Sequence, residues 1–181
     1  GFGFLGLPET ADYVLKDATV PASLLETGAP VSGRDGLVRA DVVVRGGAVA
    51  AVGSPEGTAS AGLAAVDLDG AMVFPCFVDA HTHLDKGHVW PRASNPDGTF
   101  PGALAAVAAD RERHWSAADV RARMDFALRA AHAHGTAAIR THLDSLPAQI
   151  DISWPVFAEI REEWRGRIDL QASSLCGIDI A

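Results

Sequence analysis

From residue 73 onward, strand-length apolar runs alternate with helix-length amphipathic stretches, a rhythm that restricts this part of the chain to β/α units around a parallel sheet. Strands are expected at roughly 74–84, 136–143 and 168–175. A loop rich in turn formers (Pro91, Asn95-Pro96-Asp97-Gly98, Pro101) follows the first of them. Two helical stretches come next. The second opens at Ser116 with Asp119 three residues on, a variant of the capping box. Val120, Met124, Ala127, Leu128 and Ala131 give it a buried stripe, and Gly135 stops it. A further helix is expected at 153–165, with Pro155 in its first turn.

The strand faces narrow the architecture. In the second strand Ala138, Arg140, His142 and Asp144 share one side, against Ala137, Ile139, Thr141 and Leu143. In the third, Asp169, Gln171 and Ser173 oppose Ile168, Leu170 and Ala172. An apolar outer face and a polar inner face suit a barrel better than a doubly wound sheet, whose strands are apolar on both sides. Three β/α units cannot close one, since an eight-unit barrel needs about 250 residues. The 181-residue chain starts at Gly1 and ends at Ala181, just past a strand-like segment, so a fragment is expected. Residues 1–72 read differently, as short strands with close turn signals such as Gly46-Gly47. They form a small antiparallel sheet, or half of a β-sandwich. The expected organisation is a β-sandwich part over 1–72 and truncated β/α units over 73–181.

The first β/α strand ends in His81-Thr82-His83. Residues two apart on a strand point the same way, so both imidazoles face one space, a pair that suits one divalent ion such as zinc or iron. Strand alternation puts Asp79 and Asp85 on that face as well, as groups that orient ligands or loops. His142 and Asp144, at the end of the second strand, are candidate substrate-binding residues.

The net charge of −8 and the scattered basic residues argue against nucleic acid as a partner. Arg111 and Arg113, alternating with Asp110 and Glu112, read as a solvated helix face. Two cysteines, Cys76 and Cys176, make no disulfide framework and are expected to be small buried residues in a reducing, cytoplasmic setting. No apolar stretch is long enough to span a bilayer, and no basic leader precedes the apolar first residues.

The stretch from Asp41 to Asp85 resembles the amidohydrolase superfamily, through the Gly-Gly turn, Ala50-Ala51-Val52-Gly53, Asp67-Leu68-Asp69-Gly70 and Phe74-Pro75-Cys76-Phe77-Val78-Asp79-Ala80-His81-Thr82-His83. Cys76 stands where the family usually has glycine. His83-Leu84-Asp85, Gly98-Thr99-Phe100, Arg140-Thr141-His142-Leu143-Asp144 and Arg167-Ile168-Asp169-Leu170-Gln171 are similar to the cytosine deaminase branch. The resemblance implies the N-terminal part of a metal-dependent (β/α)8 TIM barrel, with about three of its eight units, preceded by a small β-sandwich piece. It also implies hydrolytic release of ammonia from an aminated nitrogen heterocycle. His81 and His83 match the first two metal ligands. The other ligands and the proton-shuttling carboxylate come from later strands, beyond Ala181, so the fragment is expected to be inactive alone. Cytosine deaminases read the pyrimidine edge with a glutamine after the third strand, whereas Leu175-Cys176-Gly177-Ile178 has no amide. The ring therefore stays open, as does homo-oligomerisation of the full-length protein.

Other residues carry blander expectations. Lys86 could reach a substrate carbonyl but reads first as a solvent-exposed lysine. His88 and Trp90 lie in the long loop, His114, His132 and His134 on helix surfaces, and Trp154 and Trp164 at packing positions. Two other functions are compatible with the same residues: a ring-opening hydrolase of cyclic amides or imides, and a non-catalytic metal-binding module.

Overall fold

The strand signals of the N-terminal region assemble into one four-stranded sheet in a computed structural model that describes residues 6–25, 35–54 and 60–177. Its strands are Tyr13–Pro21 (β1), Leu37–Arg45 (β2), Ala48–Gly53 (β3) and Ala64–Asp67 (β4), in the order β3-β2-β1-β4. Gly46 and Gly47 close the β2–β3 hairpin with φ of 58° and 78°. A two-residue turn of this hand needs two left-handed residues, which glycine adopts without strain. The expectation of a purely antiparallel sheet is corrected at β4, which runs parallel to β1 with Tyr13 opposite Ala64. β4 lies on the far side of β1 from the hairpin, so the chain crosses over instead of turning back on itself. Ala18, Val20, Val38, Ala40 and Val42 form this unit's core.

The chain divides after Pro75, three residues later than the expected boundary. The second unit comprises Phe77–Thr82 (β5), Phe100–His114 (α1), Ala117–Ala133 (α2), Thr136–Asp144 (β6), Ile150–Glu163 (α3) and Asp169–Leu175 (β7). β5, β6 and β7 form a parallel sheet in chain order, as the strand–helix rhythm requires. Leu128, Met124 and Val120 of α2 and Ile160, Phe157 and Val156 of α3 pack with Ile139, Leu143 and Leu170 of the sheet. Arg140 and Gln171, on the opposite face, stay exposed and joined by a 2.8 Å hydrogen bond. The sheet thus has one apolar and one polar face, and no closed barrel exists among the described residues. None of the described helices is long and apolar enough to cross a membrane.

α2 starts where its sequence says it should. The Ser116 hydroxyl accepts from the Asp119 amide at 3.3 Å, and Gly135 ends the helix at φ 84°.

Three expectations need correction. β5 is shorter than 74–84 and largely exposed, because it lies at the edge of the sheet with one strand neighbour. α3 begins at Ile150, so Pro155 falls inside the helix and not in its first turn. The earlier start is set by buried Gln149, whose side-chain amide donates to Ser153 Oγ at 2.8 Å while its carbonyl accepts from the Ser153 amide. Cys76 and Cys176 are both exposed; they flank strand ends and not the apolar face under the helices.

Candidate active site

β5 and β6 run side by side, with Thr82 opposite Thr141, so their C-terminal ends bring three imidazoles together. The rings of His81 and His83 lie 5.3 Å apart, centroid to centroid. His142 of β6 joins them, at 4.3 Å from His81 and 5.6 Å from His83. His83 Nδ1 is 3.2 Å from the His142 carbonyl oxygen. A carbonyl can only accept, so Nδ1 carries the proton and Nε2 presents a lone pair. Burial, and after it the charge of Lys86, hold the His83 pKa below the usual histidine range.

These features fit a metal ion in part. A ligating histidine ordinarily anchors its other nitrogen on a carbonyl, as His83 does. His142 Nδ1 is buried with no hydrogen-bond partner among the described residues, an atom that a further polar group, water or ion would satisfy. Among the described residues, however, no three His, Cys, Asp or Glu side chains are grouped so as to hold an ion. To hold an ion, the pair His81 and His83 would need donors from outside the described residues to fix a coordination geometry.

The turn after β5 is pinned from below. The Leu84 amide donates to the Thr141 hydroxyl at 2.9 Å, and that hydroxyl lies 3.4 Å from the Thr82 carbonyl. Arg123 of α2 donates through Nη1 to the carbonyls of Asp85 and Gly87 and through Nε to Asp119, at 2.9 Å. Its guanidinium lies 4.7 Å over the Trp115 ring. The loop carrying Lys86 is thereby fixed to α2.

Asp85 does not share the histidines' face. Leu84 and Asp85 are both buried; β5 has ended at Thr82 and the chain turns inward. Asp85 Oδ2 accepts from the Asp144 amide at 2.8 Å and lies 3.4 Å from Ser153 Oγ, while Oδ1 has no partner among the described residues. Burial pushes its carboxyl above the usual aspartate range. With the folded pKa raised above the unfolded one, the folded state binds more protons between the two, so this group's contribution favours folding at low pH and is lost as pH rises. Asp85→Asn, which cannot ionise, should therefore gain stability relative to the native protein as pH is raised from about 4 to 7. Melting curves across that range would check this; a constant or opposite difference contradicts it. Asp79, by contrast, is exposed, and its Oδ1 accepts from the His81 amide at 3.1 Å.

Asp144 closes the site's other side. Its Oδ1 takes Lys86 Nζ at 2.8 Å and its Oδ2 takes Arg111 Nη1 at 3.1 Å. Lys86 is thus half-buried and paired instead of solvent-exposed, and Arg111 leaves the solvated helix face that its neighbours suggested. Sequence reasoning missed Thr141, Ser153 and Arg111 as site-shaping residues. Arg123 did carry a signal, since it stands three residues after Val120, within the apolar stripe of α2. His88 and Trp90 line a shallow cleft against α1, while His114, His132 and His134 are exposed. Trp164 is buried and Trp154 packs against the core.

Comparison with known proteins gives independent support. The sequence model of the amidohydrolase family matches residues 64–155. A pterin deaminase of Rhizobium rhizogenes is 53% identical over 178 residues, covering 98% of this chain and 40% of its own length. Among solved structures, N-isopropylammelide isopropylaminohydrolase from Burkholderia multivorans superposes with a TM-score of 0.64 at 25% identity, over 92% of this chain and 38% of that one. The 5-methylcytosine deaminase of Klebsiella pneumoniae has the same TM-score at 20% identity, over 88% and 35%, and so shares the fold. The chain spans well under half the length of each of these relatives.

Proposed function

Because this chain belongs to the amidohydrolase family, we propose that the protein carrying it is a metal-dependent hydrolytic deaminase of an aminated, oxo-bearing nitrogen heterocycle, a pterin being the foremost candidate. The observation that carries this reading is the 53% identity to a pterin deaminase along 98% of the chain. The absence of an amide at Leu175-Cys176-Gly177, where a cytosine reader would place glutamine, agrees with a ring other than cytosine.

In this reading His81 and His83 hold one divalent ion, zinc or iron, together with ligands from the rest of the protein. When bound, the ion supplies the Lewis acidity that makes water a competent nucleophile at neutral pH. The tautomer fixed by the His142 carbonyl would leave the Nε2 lone pair of His83 free to hold the ion. His142 and Asp144 face the ring, and Asp85 and Asp79 hold the backbone on either side of the histidines. Water oxygen bonds to the amino-bearing carbon, the carbon–nitrogen bond breaks, and the nitrogen leaves as ammonia after taking up a proton. The carboxylate that moves this proton is assigned to no residue of this chain, so residues 1–181 alone should show no turnover. A cytoplasmic location suits the two free cysteines.

The test is ammonia release by the full-length protein, loaded with zinc or iron, from a panel of pterin, cytosine, guanine and adenine. Release from pterin above all others is expected. Silence on the whole panel, with hydrolysis of a cyclic imide instead, would replace deamination by ring opening.

A further inference from the structure

We propose that Lys86, clamped by Asp144, is a specificity-determining residue that binds the oxo group of the substrate ring, and that Arg111 positions it by holding the other oxygen of Asp144. The inference rests on the deaminase reading and deepens it. Its starting point is a shared carboxylate. Asp144, 9% exposed, receives two cations, Lys86 at 2.8 Å and Arg111 at 3.1 Å. Arg111 holds the carboxylate in place, and Lys86, half-buried beside it, keeps N–H donors that no described residue takes up.

Position says which acceptor. Asp144 is the last residue of β6, two beyond His142 and on the same side of the strand. Lys86 follows His83 by three residues, on a turn anchored by Arg123 and by Thr141. The ammonium, 2.8 Å from Asp144 Oδ1, is thus held next to the strand end that carries His142. It has three N–H donors, of which Asp144 accounts for one. A flat heterocycle lying over the histidines would bring a ring substituent to the remaining donors. Histidine neighbours offer no negative charge there, and an oxo oxygen is the acceptor that an amino-oxo ring carries.

The chemistry gives this contact a kinetic role. As the water oxygen bonds to the amino-bearing carbon, the C=N electron pair moves onto the ring nitrogen and, through conjugation, onto the oxo oxygen. Negative charge on that oxygen is larger in the transition state than in the bound substrate. A fixed ammonium therefore favours the transition state more than the ground state. Collapse returns the pair to carbon as the C–N bond breaks and the protonated nitrogen leaves as ammonia, so atoms and electrons balance.

The test compares two substrates in the full-length, zinc-loaded protein: pterin, which is 2-amino-4-oxopteridine, and 2-aminopteridine, which lacks the oxo group. Lys86→Met should lower kcat/KM for pterin by about 10²-fold, as loss of a donor to developing charge does, and leave that for 2-aminopteridine within about threefold. Lys86→Arg should retain most of the preference for the oxo ring. Arg111→Met leaves the ammonium in place but loosens its carboxylate, and should raise KM for pterin by roughly 3–10-fold, a weaker and purely positional effect. If Lys86→Met fails to fold, the Arg111→Met and Lys86→Arg comparisons decide between the same outcomes. Equal losses on both substrates, or no loss on either, overturn the proposal while leaving a deaminase standing. Native protein that deaminates neither substrate overturns this inference, and the deaminase reading falls with it only if cytosine, guanine and adenine also release no ammonia.

Discussion

His83→Ala should abolish ammonia release by the full-length protein and strip its metal. Loss of a group that merely orients a ligand costs about 10–100-fold in metal affinity or activity, and loss of the ligand itself should exceed that. The expectation follows from geometry and not from spacing alone. His83 is the imidazole whose Nδ1 is anchored on the His142 carbonyl, so its free nitrogen has a fixed direction. His81→Ala should behave the same way, although His81 is the more exposed of the two. Metal content by mass spectrometry, measured beside activity, is the check. A His83→Ala protein that keeps a full equivalent of metal and full turnover would end the metal-site assignment.

Leu128→Ala should destabilise the protein by about 2–5 kcal/mol, because the side chain is fully buried where α2 packs against α3 and the sheet. The range is wide since the surroundings collapse into a cavity to different extents. Leu104, exposed on α1, provides the control, and its truncation should change stability by less than about 0.5 kcal/mol. Chemical denaturation of both variants would separate the two cases. A Leu128→Ala loss no greater than that of Leu104→Ala would mean that the packing described between α2 and α3 does not bear on stability.

What could be read from the sequence were features that local physics decides. The strand–helix rhythm, the Ser116 cap, the α2 stripe and the convergence of His81 with His83 depend on near neighbours and on the two periodicities of the backbone. The places where reading failed depend on contacts made far along the chain. Asp85 turns inward because Asp144 and Ser153, 59 and 68 residues away in sequence, receive it. α3 gains its first turn from a buried Gln149–Ser153 contact that outweighs the expectation attached to Pro155. Arg111, surrounded by charged neighbours in sequence, reads as solvated, yet Asp144 lies opposite it in the fold. His142 reads as a pocket residue; its place against both other imidazoles follows from the β5–β6 register, which no single strand encodes.

Thr141 turns its back on the three imidazoles, yet its one hydroxyl stitches Thr82 on one side of His83 to Leu84 on the other. A change at this hidden position, or in the packing beneath it, would tilt the imidazole without altering any residue beside it. Tuning of such a cluster can therefore accumulate out of sight, in the layer between strand and helix, where a survey restricted to exposed residues would never look.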